Sequence, residues 1–156
     1  MSLSDALGDK LDLPGVKTGA VEVETGTGRV QVDLADAARP GARIDRLRVS
    51  VPNAAPLETQ AKGICRRLRH LPERLVPVEV DERLGGGVLR SDPADMRGKR
   101  YFEIGLDGTG ATVERFKASP DGGREREPFT VTREQLGRLV DDLAHGLRSE
   151  DDSASS

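Results

Sequence analysis

Residues 99–147 narrow the choice of fold more than any other part of the chain, because a hairpin signal and a helix signal follow each other there. Apolar and polar side chains alternate over residues 100–106 and 111–117, and the Gly-rich turn 107–110 separates the two runs. This pattern is typical of an antiparallel β-hairpin. Residues 132–135, Thr-Arg-Glu-Gln, then carry the signature of a capping box, which marks the first turn of a helix. The sequence therefore predicts a sheet with a helix packed against it.

A second amphipathic helix is predicted over residues 57–71. Its apolar side chains recur at the spacing of one helical stripe: Leu57, Ala61, Ile64, Cys65 and Leu68. Pro56 suits the first turn of a helix, and Pro72 cannot continue one. This helix, like the one that begins after residue 132, is expected to face the core.

Shorter alternating segments predict further strands, at residues 21–24, 29–34, 44–51, 74–81 and 88–90. Pro77 lacks an amide hydrogen, so the strand over residues 74–81 is expected at an edge of the sheet. Residues 35–42 and 119–127 are interpreted as loops, and residues 1–19 as no more than a frayed turn of helix.

Strands that precede each helix predict an α+β fold rather than an alternating α/β one. We expect antiparallel sheet of roughly six to eight strands with two packed amphipathic helices, in a single domain over residues 1–148. Two strands-then-helix repeats, residues 16–72 and 74–148, are an alternative that the sequence leaves open. The acidic residues 149–156 are expected to be disordered.

Composition disfavours several classes of protein. Aromatic residues make up only 3% of the chain, which argues against a flat aromatic cofactor pocket. The net charge of −3 resides in the acidic residues 149–156, so the rest of the chain is formally neutral. The single cysteine excludes an intramolecular disulfide and a cysteine-based zinc site. No signal-peptide pattern or membrane-spanning run occurs, so we expect a soluble cytoplasmic protein with no cofactor, no metal and no membrane partner.

No residue pattern points to catalysis. Cys65 lies on the predicted apolar stripe and is interpreted as a buried, inert thiol. His70 and His145 fall in the last turns of the two predicted helices, where a positive charge complements the helix dipole. The Gly-rich segments 25–28 and 85–87 fit hairpin turns rather than phosphate-binding loops. We therefore expect a protein that is not an enzyme.

The predicted hairpin offers one candidate binding site. If Asp107 pairs with Gly110, then Tyr101 lies opposite Phe116 on the face away from the helix, with Lys99 beside them. This aromatic pair has three interpretations: a stacking platform for a base, a contact for a partner protein, or the seam between two packed sheets.

A basic segment at the end of the first predicted helix is a second candidate, formed by Arg66, Arg67, Arg69 and Arg74. Such a segment is either a solvated helix face or a contact for an anion or a phosphate backbone.

From the Lys-Arg-Tyr-Phe opening at residues 99–102 to the terminal helix, the order of elements resembles a PUR repeat and is similar to that of the Whirly proteins. These families place strands before a helix and bind single-stranded DNA or RNA on the sheet. The resemblance covers the last third of the chain, with an echo in residues 20–71. It implies nucleic-acid binding by Tyr101, Phe116, Lys99 and the segment 66–74. The chain departs from these families at Glu103 and Glu114, which face each other where neutral or basic groups are expected.

Two functions are therefore expected. The first is a non-enzymatic interaction module that binds another protein or a second copy of itself, since association covers exposed strand edges. The alternative is a single-stranded nucleic-acid-binding protein of the PUR or Whirly kind.

Overall fold

A computed structural model describes residues 2–13, 15, 18–38, 41–68, 75–81, 83–91 and 100–148. These residues form one antiparallel sheet of nine strands and three helices, so the predicted α+β class is confirmed. The helices are α1 (Leu3–Leu11), α2 (Leu57–Arg67) and α3 (Arg133–Arg148). The strands are β1 (Gly19–Thr25), β2 (Gly28–Ala38), β3 (Gly41–Ser50), β4 (Leu75–Asp81), β5 (Gly86–Ser91), β6 (Arg100–Leu106), β7 (Gly110–Ala118), β8 (Arg124–Glu127) and β9 (Phe129–Thr132).

The strands follow the order β1-β2-β3-β7-β6-β5-β4 across the sheet, so β3 is an interior strand next to the middle strand β7. Residues 47–50 of β3 pair with β7, whereas residues 41–44 of β3 pair with β9. β8 pairs with residues 115–118 of β7. The prediction that β4 is an edge strand is confirmed, and its ladder with β5 is irregular between Pro77 and Glu79.

The helices cover one face of the sheet, and the apolar core lies between the two layers. Alternate residues of the central strands point into this core and meet the apolar stripes of α2 and α3. Its fully buried members include Val30, Val32, Ile44, Leu47, Val49, Ile64, Leu89, Ile104, Val140 and Leu143. The rings of Phe102 and Phe129 pack edge to face there, with centroids 5.3 Å apart. Burial of this apolar surface is the main driving force for folding.

α2 and α3 cross so closely that glycine is required at the crossing. A Cβ atom added at Gly63 would lie 3.1 Å from the carbonyl oxygen of Gly146. A Cβ atom added at Gly146 would lie 2.7 Å from Cγ1 of Ile64. The two helices therefore pack backbone against backbone at this point.

α1 is a full helix rather than the frayed turn expected, and it adds a third helix to the two that were predicted. Its buried side chains recur every four residues and form one stripe: Leu3, Leu7 and Leu11. The Ser2 hydroxyl accepts a hydrogen bond from the Asp5 amide at the helix start, and the Ser4 hydroxyl donates to Asp141 of α3 over 2.8 Å. A helix this short depends on such tertiary contacts, which its sequence alone does not reveal.

α3 begins at the predicted capping box, and both of its reciprocal hydrogen bonds are present. The Gln135 amide donates to the Thr132 hydroxyl over 3.0 Å, and the Thr132 amide donates to Oε1 of Gln135 over 2.9 Å. Within the described ranges, no helix is both long and apolar enough to cross a membrane.

Two segments expected to be loops contain strands. In the predicted loop 35–42, β2 continues to Ala38 and β3 begins at Gly41; in the predicted loop 119–127, β8 pairs with β7. The sequence Arg-Pro-Gly at residues 39–41 is typical of a turn, which led to too wide a loop there. β8 consists of four charged residues and so has the composition of a loop. The predicted helix 57–71 ends at Arg67. The acidic segment 149–156 lies outside the described residues.

Candidate functional site

The outer face of the sheet, opposite the helices, carries the predicted aromatic pair. Asp107 donates its amide to the Gly110 carbonyl oxygen, and the β6–β7 register places Tyr101 opposite Phe116 and Glu103 opposite Glu114, as predicted. The two ring centroids are 5.9 Å apart, and the ring planes are inclined at 31°. Both rings lie outside the apolar core that the helices cover.

Two arginines cover these rings. The guanidinium of Arg124, from β8, lies 3.9 Å from the ring centroid of Phe116, and that of Arg90, from β5, lies 5.1 Å from the centroid of Tyr101. Tyr101 and Phe116 are consequently only 5% and 9% exposed. A base can stack on them only after an arginine moves. The interpretation as a seam between two sheets is wrong, because all the described strands belong to one sheet.

Carboxylates hold the covering arginines in place. Oε1 of Glu103 accepts from Arg90 over 3.1 Å and from Arg124 over 2.8 Å, and Glu114 accepts from Arg126 over 3.1 Å. The hydrogen bond from Arg124 to Glu103, with a weaker one to the Tyr101 hydroxyl, raises the pKa of Arg124. Each of the facing glutamates therefore has its own cationic partner, which explains how two like charges lie side by side.

The residues predicted to bind nucleic acid do not share one surface. Arg66 and Arg67 occupy the last turn of α2, on the helix side of the sheet, whereas Tyr101 and Phe116 point to the outer side. Other residues singled out from the sequence lie outside the described residues: Arg69, His70, Arg74 and Lys99. Cys65, expected to be buried, is half-buried.

The β6–β7 turn is tied to the first half of the chain by Asp107. Its carboxylate accepts from the backbone amides of Thr109 and Gly110 and forms a 2.8 Å ion pair with Arg48 of β3. Burial raises the pKa of Asp107, but these hydrogen bonds outweigh burial, so the net pKa lies below its ordinary value. Gly108 adopts a φ of +93°, a conformation that glycine tolerates best.

The two edges of the sheet differ. β4 is interrupted by Pro77 and an irregular register, and it exposes Val78 by 52%, with Leu84 in the following turn exposed by 80%. β1 pairs with β2 in an uninterrupted seven-residue register, and no strand in the described part of the chain pairs with its other side. β4 therefore has the features that block strand addition, whereas the edge of β1 lacks proline and bulge.

The geometry of β1 defines which backbone groups face outward. The two-residue turn 26–27 makes Thr25 and Gly28 a hydrogen-bonded pair, so the amides of Val21 and Val23 also point towards β2. The remaining amides and carbonyls of the strand point away from the sheet: those of Ala20, Glu22 and Glu24. Local residue patterns do not reveal this edge, because its position depends on the strand order across the whole sheet.

A hollow of about 500 Å³ between α1 and α3 is lined by charged residues of both signs, among them Asp5, Arg133 and Asp142. Arg133 also pairs there with Asp12, at 3.4 Å. Among the residues that the structure describes, no three His, Cys, Asp or Glu side chains are grouped as metal ligands.

No family model, no curated protein and no solved structure matches this chain.

Proposed function

We propose that this protein is a non-enzymatic binding module that takes up an extended segment of another polypeptide, or of a second copy of itself, along the open edge of β1. One observation carries the proposal: β1 is a regular edge strand with three residues whose backbone groups point away from the sheet. Strand addition at such an edge gives affinity through main-chain hydrogen bonds and specificity through alternate side chains.

The contrast with the opposite edge supports this assignment. A sheet usually blunts its edges with proline or bulges, as β4 does at Pro77. β1 has neither device, although α1 packs beside it and supports its core side. A strand that is supported on its core side, and whose backbone is interrupted by neither proline nor bulge, is suited to pairing with an incoming strand.

Backbone amide exchange tests the proposal. Fluorescent seven-residue peptides of alternating Thr and Val, Lys and Val, or Glu and Val serve as probes of strand addition. We expect at least one peptide to slow exchange at Ala20, Glu22 and Glu24 and to leave the amides of β4 unchanged. Full solvent exchange at these three amides with every peptide, together with a one-chain mass by light scattering at high concentration, would overturn the proposal.

The alternative function, binding of single-stranded DNA or RNA, is favoured by a different observation. Tyr101 and Phe116 form a tilted ring pair beneath Arg90 and Arg124, with Arg126 nearby on the same sheet face. Aromatic rings and arginines together are the groups that stack on bases and contact phosphates. A labelled oligonucleotide should then bind at low salt and dissociate at high salt. An absence of binding at low salt would rule this function out.

A further inference from the structure

We infer that the segment accepted by β1 is basic and apolar at alternate positions, rather than a second copy of this chain. This inference rests on the proposed function and adds to it the chemistry of the partner. The chemistry of the partner is inferred from the side chains that β1 presents on the two faces of the sheet.

On the outer face, the edge is acidic. Glu22 and Glu24 point to this side, and both lie against the single cation Arg29, at 3.1 Å and 3.2 Å. Two carboxylates on one guanidinium leave a net negative charge, and both carboxylates are at least half exposed. Cross-strand pairs of opposite charge stabilise an antiparallel ladder, so Lys or Arg is favoured opposite these positions.

On the helix side, the same edge is apolar. Val21 is buried in the core and Val23 packs against it. An incoming strand places its alternate side chains beside these valines, where apolar residues extend the core. In a matching partner, basic and apolar residues therefore alternate along the strand.

The chain itself contains an example of this pairing. β2 is acidic at Asp33 and apolar at Val32, and it pairs with Arg46 and Leu47 of β3 in register. The Arg46–Asp33 ion pair measures 3.4 Å. One opposite-charge pair next to one apolar pair thus already joins two strands of this sheet.

Pairing of β1 with β1 of a second copy is disfavoured by charge. In the antiparallel register that pairs the whole strand, Glu22 lies opposite its own counterpart and Glu24 lies opposite Ala20. Like charges directly opposite each other destabilise a ladder.

The test compares the Lys/Val, Thr/Val and Glu/Val peptides by fluorescence anisotropy on the full chain. We expect the Lys/Val peptide to bind about tenfold more tightly than the Glu/Val peptide, from two opposite-charge pairs. The difference should shrink at high salt. In the double variant Glu22→Gln and Glu24→Gln, the three peptides should bind with similar affinity. Equal affinities for the unaltered chain would overturn the charge preference while leaving strand addition intact.

A backbone variant checks the location. Glu22→Pro removes an outward amide without removing a β1–β2 hydrogen bond, so it should abolish binding of the Lys/Val peptide and preserve the unfolding midpoint in urea. Glu22→Gln, which keeps the amide, is its matched control and should still bind. Binding that survives Glu22→Pro in a folded protein would show that the peptide sits elsewhere and would overturn the inference.

Discussion

On the helix side of the sheet, Phe102 packs edge to face on Phe129 inside an apolar core, whereas on the outer side Tyr101 and Phe116 form a tilted ring pair beneath Arg90 and Arg124. All four rings are buried, and three of them belong to a single hairpin. The inner pair belongs to the apolar core, with one guanidinium, that of Arg115, at 5.1 Å from the ring centroid of Phe102. The outer pair lies outside that core and is covered by two guanidinium groups held by a carboxylate.

The two aromatic pairs are stabilised by different interactions. Burial among aliphatic groups stabilises in proportion to the apolar area removed from water, and salt affects it little. A guanidinium over a ring contributes about 0.5–1 kcal/mol when exposed to solvent, and its ion pairs weaken as salt screens them. The inner face should therefore determine stability, and the outer face should determine how accessible the aromatic pair is.

The largest effect is expected from truncation on the inner face. Ile104 is fully buried, so Ile104→Ala should lower the free energy of unfolding by about 2–5 kcal/mol, through lost burial and the cavity left behind. Urea unfolding followed by circular dichroism measures this change. The control Thr130→Ala alters an exposed side chain on the outer face and should change stability by less than about 0.5 kcal/mol. Equal losses in the two variants would contradict the comparison.

The next largest effect concerns the helix crossing above the inner face. Gly146→Ala should cost about 1–3 kcal/mol, because the added methyl group meets Ile64 and forces the helices apart. Gly137→Ala, in the same helix, meets only the Cβ of Ser4 at 3.4 Å and should stabilise the helix by up to about 1 kcal/mol. The melting temperature should fall in Gly146→Ala and rise in Gly137→Ala. A shift in the same direction in both variants would contradict the close helix crossing.

A smaller effect on stability, with a clear change in accessibility, is expected on the outer face. Arg124→Ala should cost about 1 kcal/mol and expose the aromatic pair. Tyr101 is the only tyrosine and the chain has no tryptophan, so acrylamide quenching of intrinsic fluorescence reports on this site alone. Quenching should increase in Arg124→Ala and stay constant in Arg138→Ala, which removes an ion pair within α3. Unchanged quenching would mean that Arg124 does not shield the rings.

The smallest effect is the pH dependence of the β6–β7 turn. The pKa of Asp107 is lower in the folded chain than its ordinary value of 3.8, so its contribution is complete above that value and is lost as the pH falls through the folded pKa. Because the carboxylate is half exposed, the loss should be below about 1 kcal/mol. Urea unfolding at pH 5 and at pH 2 measures this loss. Between these two pH values, the free energy of unfolding should fall less in Asp107→Asn than in the unaltered chain, by about this amount. A parallel pH profile would show that Asp107 is not involved.

The sheet face on which each aromatic residue of the hairpin lies could be predicted from the sequence. Alternation alone assigned Phe102 and Tyr101 to opposite faces, because side chains in a strand alternate strictly. The capping box at Thr132 predicted the start of α3 for an equally local reason. Both predictions depend only on neighbours in the chain.

The cover over the outer pair and the open edge of β1 depend on distant contacts. Arg124 lies in a strand that reads as a loop, since four charged residues form it. The position of β1 at an edge follows from the order of all the strands, which β3 determines by pairing with β7 and β9. Residue patterns describe each element separately, and the association of distant elements decides which surface stays exposed.

The interior position of β3 has a consequence for synthesis on the ribosome. β3 is complete at Ser50, but its neighbour β7 begins at Gly110 and β9 at Phe129. At ordinary elongation rates, several seconds pass between the synthesis of β3 and that of β7. During this time the backbone groups on one side of β3 have no partner strand. Chains stalled before residue 110 should therefore be retained by chaperones that recognise extended apolar segments, and release should coincide with the emergence of β7.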